Sequence, residues 1–225
     1  MKKLFLLLAL LVTPLLMQVT PLEILKLKTF DYLVPTYQPS GNFVVLDITE
    51  DEVSAEGGWP FPRQRLAEIH NDILQKGALG VGWVLSFVDK DRFGGDSEYI
   101  LAVSQSSSSI VATFSFDNKK YPQPTGTVIL GPDVQGIELP GHLPNIDGIS
   151  GRVLEGVVSA PVDVDNLVRR LPLLYEIPDG WVPSFGTQVL KALTGSDSYI
   201  IKTNDYGIEE VRVRGIPAVP TDSLG

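Results

Sequence analysis

Two apolar runs around an amphipathic stretch set the tightest constraint on what this chain can fold into. Phe43 to Ile48 reads FVVLDI and lies between Ser40-Gly41-Asn42 and Thr49-Glu50-Asp51-Glu52. A short bounded run with Val44, Val45 and Ile48 predicts a buried strand. Gly57 to Pro62 (GGWPFP) then makes a turn rich in Gly and Pro. Arg63 to Lys76 predicts a helix, because Leu66, Ile69, His70, Ile73 and Leu74 fall on one stripe. Gly77 follows as its natural C-terminal stop. Ala78 to Val88 (ALGVGWVLSFV) is a second continuous apolar run, which predicts a strand buried on both faces. Strand, helix and strand make a βαβ unit with parallel pairing and a right-handed connection. The fold class expected is α/β, a mixed and partly parallel sheet with flanking helices.

The remaining elements follow from weaker signals. A helix is expected after the loop at Asp89 to Gly95, with Asp96 or Ser97 as its cap, and a strand over Ile110 to Phe116. Asp117 to Gly156 is a long excursion rich in Pro and Gly, with a short strand at Thr127 to Leu130. Gly156 to Val158 is a further strand. A turn at Asp163 to Asn166 precedes a strand carrying Arg169 and Arg170. A helix opens at Ser184, and a hairpin turns around Asn204 to Gly207.

Lys2-Lys3 precedes a run that is apolar from Leu4 to Leu16 apart from Thr13 and Pro14. A basic flank before an apolar stretch predicts an export signal. Met17 to Pro21 is a poor cleavage context, so an uncleaved signal-anchor helix over residues 1–27 is expected, with residues 28–225 extracytoplasmic.

The formal net charge of -9 and a pI near 4.7 argue against nucleic-acid binding. Cysteine is absent, which excludes disulfides and thiolate chemistry. No cofactor-binding motif occurs, and no catalytic or metal residue is assigned. His70 sits on the apolar stripe and predicts a hydrogen-bonded core histidine. His142, in a GHLPNIDG loop, predicts a solvated one. Asp47, Asp89 and Asp91 stand near the carboxyl ends of the two expected strands, where parallel sheets bind ligands. Asp163 and Asp165 lack the downstream Gly and Glu of a calcium loop, so they predict a self-bonded turn. Arg63 opens a helix, where the dipole disfavours a cation. It should therefore have a carboxylate partner, with Asp163 or Asp165 the expected one.

Six stretches occur in the order seen in CHASE2 domains: FDYLV (30–34), GWPFPR (58–63), GALGVGWVLSF (77–87), DVDNLVRRLPL (163–173), PSFGTQVL (183–190) and VPTDSLG (219–225). The chain resembles that family over roughly residues 25–225. The resemblance implies an extracytoplasmic sensory domain of a bacterial transmembrane receptor, placed before further spans and a cyclase or kinase output. Thr49 and Val84 replace acids usual in the family. The candidate ligand-binding residues are Asp47, Trp59, Arg63, Asp89, Asp163, Asp165 and Arg169. The partners implied are a small-molecule or protein ligand, the membrane through the N-terminal helix, and a second copy in a homodimer. The alternatives are a secreted or anchored hydrolase using an acidic cluster of Asp47, Asp89 and Asp91, or a non-binding interaction module.

A reporter enzyme fused after Gly225 should be active only outside the inner membrane. Cytoplasmic activity would overturn that topology, and a mature N-terminus near Thr20 would overturn retention of the anchor.

Overall fold

The computed structural model describes residues 20–35, 38 and 40–225. The apolar run Leu4 to Leu16 and its basic flank lie outside the described residues. Among the described residues, no helix is long and apolar enough to cross a membrane.

The chain forms two compact units. The first contains helix α1 (Thr20–Leu33), the stretch through Ile48, and the segment Pro161–Arg170. Among its described residues only Leu27 is a buried apolar side chain. The expected strand at 43–48 does not form. Phe43, Val44, Val45, Leu46 and Ile48 are all exposed, Val45 to 90%. Strand propensity needs a neighbour to complete the ladder, and the central place in the sheet of the second unit belongs to a different strand.

The second unit spans Thr49–Ala160 and Leu171–Gly225. It opens with the short helix α2 (Glu50–Ala55), which the sequence reading passed over. Thr49 caps it, and Thr49 and Glu52 form a reciprocal capping box. Next come α3 (Arg63–Gln75), β1 (Val81–Trp83), α4 (Asp96–Ser104) and β2 (Ser109–Ser115). β2 is the centre of the first sheet. It pairs in parallel with β1 on one side (Val81 opposite Ser109) and with β5 (Leu154–Val158) on the other (Ile110 opposite Leu154). The two-residue strand β4 (His142–Leu143) meets its far end antiparallel. A βαβ unit is therefore present one element later than expected, as β1–α4–β2. β3 (Gly126–Leu130) pairs in parallel with β8 (Ser198–Asn204) in a second sheet. That sheet continues antiparallel through β9 (Gly207–Val213) and β10 (Val219–Pro220). β6 (Leu174–Ile177) and β7 (Gly180–Pro183) form a hairpin, and α5 (Phe185–Thr194) follows. The class is mixed α/β with a partly parallel sheet.

Two expected strands are corrected. Of Ala78–Val88 only Val81–Trp83 pairs, and Val84 points outward. Beyond Trp83 the chain leaves the sheet, because the Phe87 N–H donates to the Asn145 side chain instead of to a strand. Arg169 and Arg170 lie on no strand. Pro172 has no N–H to offer a ladder, and pairing begins only at Leu174.

The core of the first sheet is built from Leu66, Ala67, Trp83, Phe87, Tyr99 and Val103, with Ile69, Ile73 and Leu74 of the α3 stripe packed against it. Each large apolar side chain removed from water there contributes about 1.5–3 kcal/mol. α5 packs on β5 so closely that a Cβ at Gly156 would stand 2.5 Å from Phe185 Cα and 3.0 Å from Phe185 N. Backbone cannot yield as a side-chain tip can. Gly156→Ala should therefore cost about 1–3 kcal/mol. At Gly186 on α5, an added Cβ meets nothing within 4 Å. Gly186→Ala should stabilise by about 0.5–1 kcal/mol through helix propensity. Opposite shifts in thermal midpoint check the pair; equal shifts would contradict the packing.

Candidate functional site

The helix α3 begins without a side-chain cap, since Pro62 precedes it. Asp91, from the loop after β1, supplies the missing acceptor. Its Oδ2 accepts the N–H of Arg63 (2.9 Å) and of Gly95 (3.0 Å), and its Oδ1 accepts that of Phe93 (3.1 Å). Asp96 Oδ2 in turn accepts the Asp91 N–H at 3.0 Å. Burial pushes the Asp91 carboxyl up, but these three amides and the charge of Arg63 outweigh it and hold it below the usual carboxylate range. Gly95 belongs to the same knot, because a Cβ there would stand 2.5 Å from Gln64 N.

This knot fixes one wall of a cleft of about 350 Å³, at the small end of ligand sites. Trp59, Pro60, Phe61 and Arg63 line one side, and the stretch Leu85–Arg92 lines the other. Trp59 is half-exposed and stands edge-on to Phe61, with ring centroids 5.2 Å apart. The Arg63 guanidinium lies over the Phe87 ring, 4.1 Å from its centroid. Its Nη2 donates to the Asp89 carbonyl (3.1 Å), and its Nε faces Asp96 Oδ1 at 3.5 Å, an ion pair too long for a hydrogen bond. The expected partnership of Arg63 with Asp163 or Asp165 is thus replaced by Asp96 and the Asp89–Asp91 loop. The argument from the dipole holds, but the nearer loop supplies the acids. Burial lowers the Arg63 pKa against the opposing charges of Asp96 and Asp91. An arginine starts so high that it stays charged.

Behind the cleft the core carries a polar framework. Trp83 Nε1 donates to His70 Nδ1 (3.0 Å), so the His70 proton is on Nε2, 3.1 Å from Ser109 Oγ. His70 is the satisfied core histidine expected. His142 is not solvated as expected. It is 3% exposed on β4, with Nδ1 2.9 Å from Thr113 Oγ1. Thr113 donates onward to the Leu143 carbonyl, which makes His142 the donor of the pair. Asn145, which the sequence reading did not single out, accepts from Phe87 N (2.6 Å). It donates to Ala112 O (3.1 Å) and Glu155 Oε1 (2.6 Å). It thereby ties the cleft wall to β2 and β5. A lone Asn in a Pro-Gly loop gives no signal of that role. Tyr99 is fully buried, and its hydroxyl has no hydrogen-bond partner among the described residues.

Trp59, Arg63 and Asp89 are therefore brought together in one cleft. Asp47 lies in the other unit on the exposed stretch after α1. Asp163, Asp165 and Arg169, also in that unit, form a cluster with Asp31 of α1. Arg169 bonds Asp31 at 2.7 and 2.8 Å, Asp163 at 3.0 Å, and Asp165 at 2.8 Å twice. The Arg169 hydrogen bonds hold the Asp165 carboxyl at about 2 and lower that of Asp31. A turn at Asp163–Asn166 is present, with Asn166 in the left-handed region (φ 61°). Of its acid side chains only Asp165 accepts a backbone N–H, that of Leu167 at 3.4 Å, while Asp163 is taken by Arg169 and Arg170. Thr49 caps α2, and Val84 faces outward. Among the described residues no group of three or more His, Asp or Glu is placed to hold a metal ion.

Asp91→Ala should lower stability by about 2–4 kcal/mol, because three N–H groups lose a charged acceptor. Asp89→Ala should change it by less than about 0.5 kcal/mol, since only the Asp89 carbonyl is engaged. A depressed carboxyl stabilises the fold above its unfolded pKa, and that contribution is lost as pH falls through the folded value. The acid limb of the parent below about pH 4 should therefore flatten in Asp91→Asn. Chemical denaturation at pH 7 and pH 3 checks both statements. Equal losses at 89 and 91 would contradict them.

Searches of curated proteins and of solved structures find no match. A comparison with protein families matches the CHASE2 domain over residues 5–223 of the 225-residue chain. CHASE2 domains are extracytoplasmic sensory modules without catalytic activity of their own. The motifs from FDYLV to PSFGTQVL thus stand within one continuous match, which ends inside VPTDSLG, and the chain belongs to the CHASE2 family.

Proposed function

We propose that this chain is the ligand-binding sensor of a membrane-anchored signalling receptor, with the ligand held in the cleft at Arg63. Residues 1–27 anchor it, residues 28–225 lie outside the membrane, and a cyclase or kinase acts as output. The observation that supports the ligand site best is the state of Arg63. It is a part-buried cation on an aromatic face, in a cleft of ligand size, with hydrogen-bonding capacity left over. Asp163, Asp165 and Arg169 take a different part. They hold the end of α1, at Asp31, against the Asp163 turn within their own unit, just past the proposed anchor. The hydrolase alternative lacks a supporting constellation. Both oxygens of Asp91 already accept backbone N–H groups, and Asp47 lies in the other unit, which leaves the cleft without a pair of free carboxyls for acid and base.

The test is a thermal-shift screen of the full chain in detergent against a panel of small metabolites. A compound at one hundred times its Kd should raise the midpoint by about 5–10 °C. Trp59→Ala, which removes a half-exposed cleft wall, should abolish that shift. Hits that act equally on the parent and on Trp59→Ala would place the ligand elsewhere.

A further inference from the structure

We propose that the ligand of the Arg63 cleft is a small organic anion, a carboxylate carried on a flat apolar body. This rests on the cleft being the ligand site and adds its chemistry. The side chains able to face a ligand are unequal in sign. Arg63, Lys90 and Arg92 line the cleft, and among the described residues neither Lys90 nor Arg92 pairs with a carboxylate. Arg92 instead lies over the ring of Phe93, 4.6 Å from its centroid.

Two acids line the same cleft, but they do not balance these cations. Both oxygens of Asp91 are closed by the amides of Arg63, Phe93 and Gly95. Asp89 is exposed, and only its carbonyl is engaged by Arg63. Asp96 already faces Arg63, so an entering cation would find one available carboxylate, that of Asp89, beside the two cations Lys90 and Arg92. An entering carboxylate meets the unused edge of Arg63, where Nη1 makes no hydrogen bond among the described residues. The net charge of -9 opposes an anion only at long range, because ionic screening acts over about 8 Å in physiological salt.

The rest of the lining selects within the anions. Phosphate groups favour free amides at a helix N-terminus. Here the first amide of α3 already donates to Asp91, so that mode is closed. Trp59 offers ring surface in the same cleft, with Phe61 and Phe87 buried behind it, which suits an apolar body attached to the charge. A cleft of about 350 Å³ limits that body to roughly one ring or a short branched chain.

The test uses the full chain in detergent and four probes titrated calorimetrically: phenylacetate, 2-phenylethanol, 2-phenylethylamine and acetate. Phenylacetate should bind saturably, 2-phenylethanol and acetate at least about tenfold more weakly, and the amine not at all. Lys90→Gln combined with Arg92→Gln, both exposed and away from the core, should weaken phenylacetate about fivefold to tenfold. Arg63→Gln should abolish binding; the rim variant keeps the test decisive if that substitution fails to fold. Binding of the amine as tight as that of phenylacetate, or phenylacetate binding indifferent to the rim variant, would overturn the proposal. If no probe binds while a metabolite still gives a Trp59-dependent shift, the cleft remains the ligand site and the anion class falls. If neither occurs, both readings fall.

Discussion

The carboxylate of Asp91 is the constraint on which the cleft at Arg63 depends. A helix beginning after proline has free N–H groups and no side chain of its own to satisfy them. Asp91 reaches the first of these from 28 residues later in the chain. The same two oxygens close the turn in which Asp91 sits, through Phe93 and Gly95. One ionised group therefore joins the start of α3, the exit from β1 and the entry to α4. Gly95 is part of this arrangement for steric reasons alone, since any Cβ would overlap the α3 backbone at Gln64. With the loop pinned, Phe87 and Arg63 are held face to face, and the cleft has a fixed wall.

What the sequence made legible was local. The stripe from Leu66 to Leu74, the Gly77 stop, the helix from Phe185 and the hairpin around Asn204 are encoded by residues within one or two turns of each other. All of them stand where the pattern places them. The capping box of Thr49 and Glu52 was equally local, and its Thr-x-x-Glu spacing was there to be recognised. The failures were non-local. FVVLDI has the composition of a core strand, but composition does not name the neighbour, and β2 holds the central place between β1 and β5. ALGVGWVLSFV stops pairing after three residues because Asn145, from a distant loop, takes the N–H of Phe87. His142 was assigned to solvent on its loop context, yet Thr113 on β2 draws it inside.

The candidate site shows the same division. That Arg63 needs acids followed from the helix dipole, a local argument, and the acids are there. Which acids they are depended on the path of the loop after β1, and the sequence does not state that path. Trp59, Arg63 and Asp89 line one cleft, which fits their nearness in sequence to the first helix and to the end of a strand. Asp47 joins them only if FVVLDI is the first strand of the sheet. Once that strand is absent, the reason for including Asp47 goes with it.

Two arginines dominate the charge chemistry, and a donor count assigns them different work. A guanidinium has five N–H donors. Arg169 makes five hydrogen bonds, all to the carboxylates of Asp31, Asp163 and Asp165, and its side chain is 5% exposed. A lysine could not reproduce the paired contacts to Asp31 and Asp165, because its ammonium lacks the planar fork. With every donor engaged and three carboxylates around it, Arg169 has nothing left for a ligand, and an incoming anion would meet net negative charge. Arg63 is the opposite case. It makes one hydrogen bond to a carbonyl and one long ion pair, while its face is occupied by Phe87. A part-buried cation with donors to spare is costly in an isolated fold. In the proposed reading a ligand would complete the hydrogen bonds of Arg63, and the loop that carries Asp89 and Asp91 is the element such a ligand would hold.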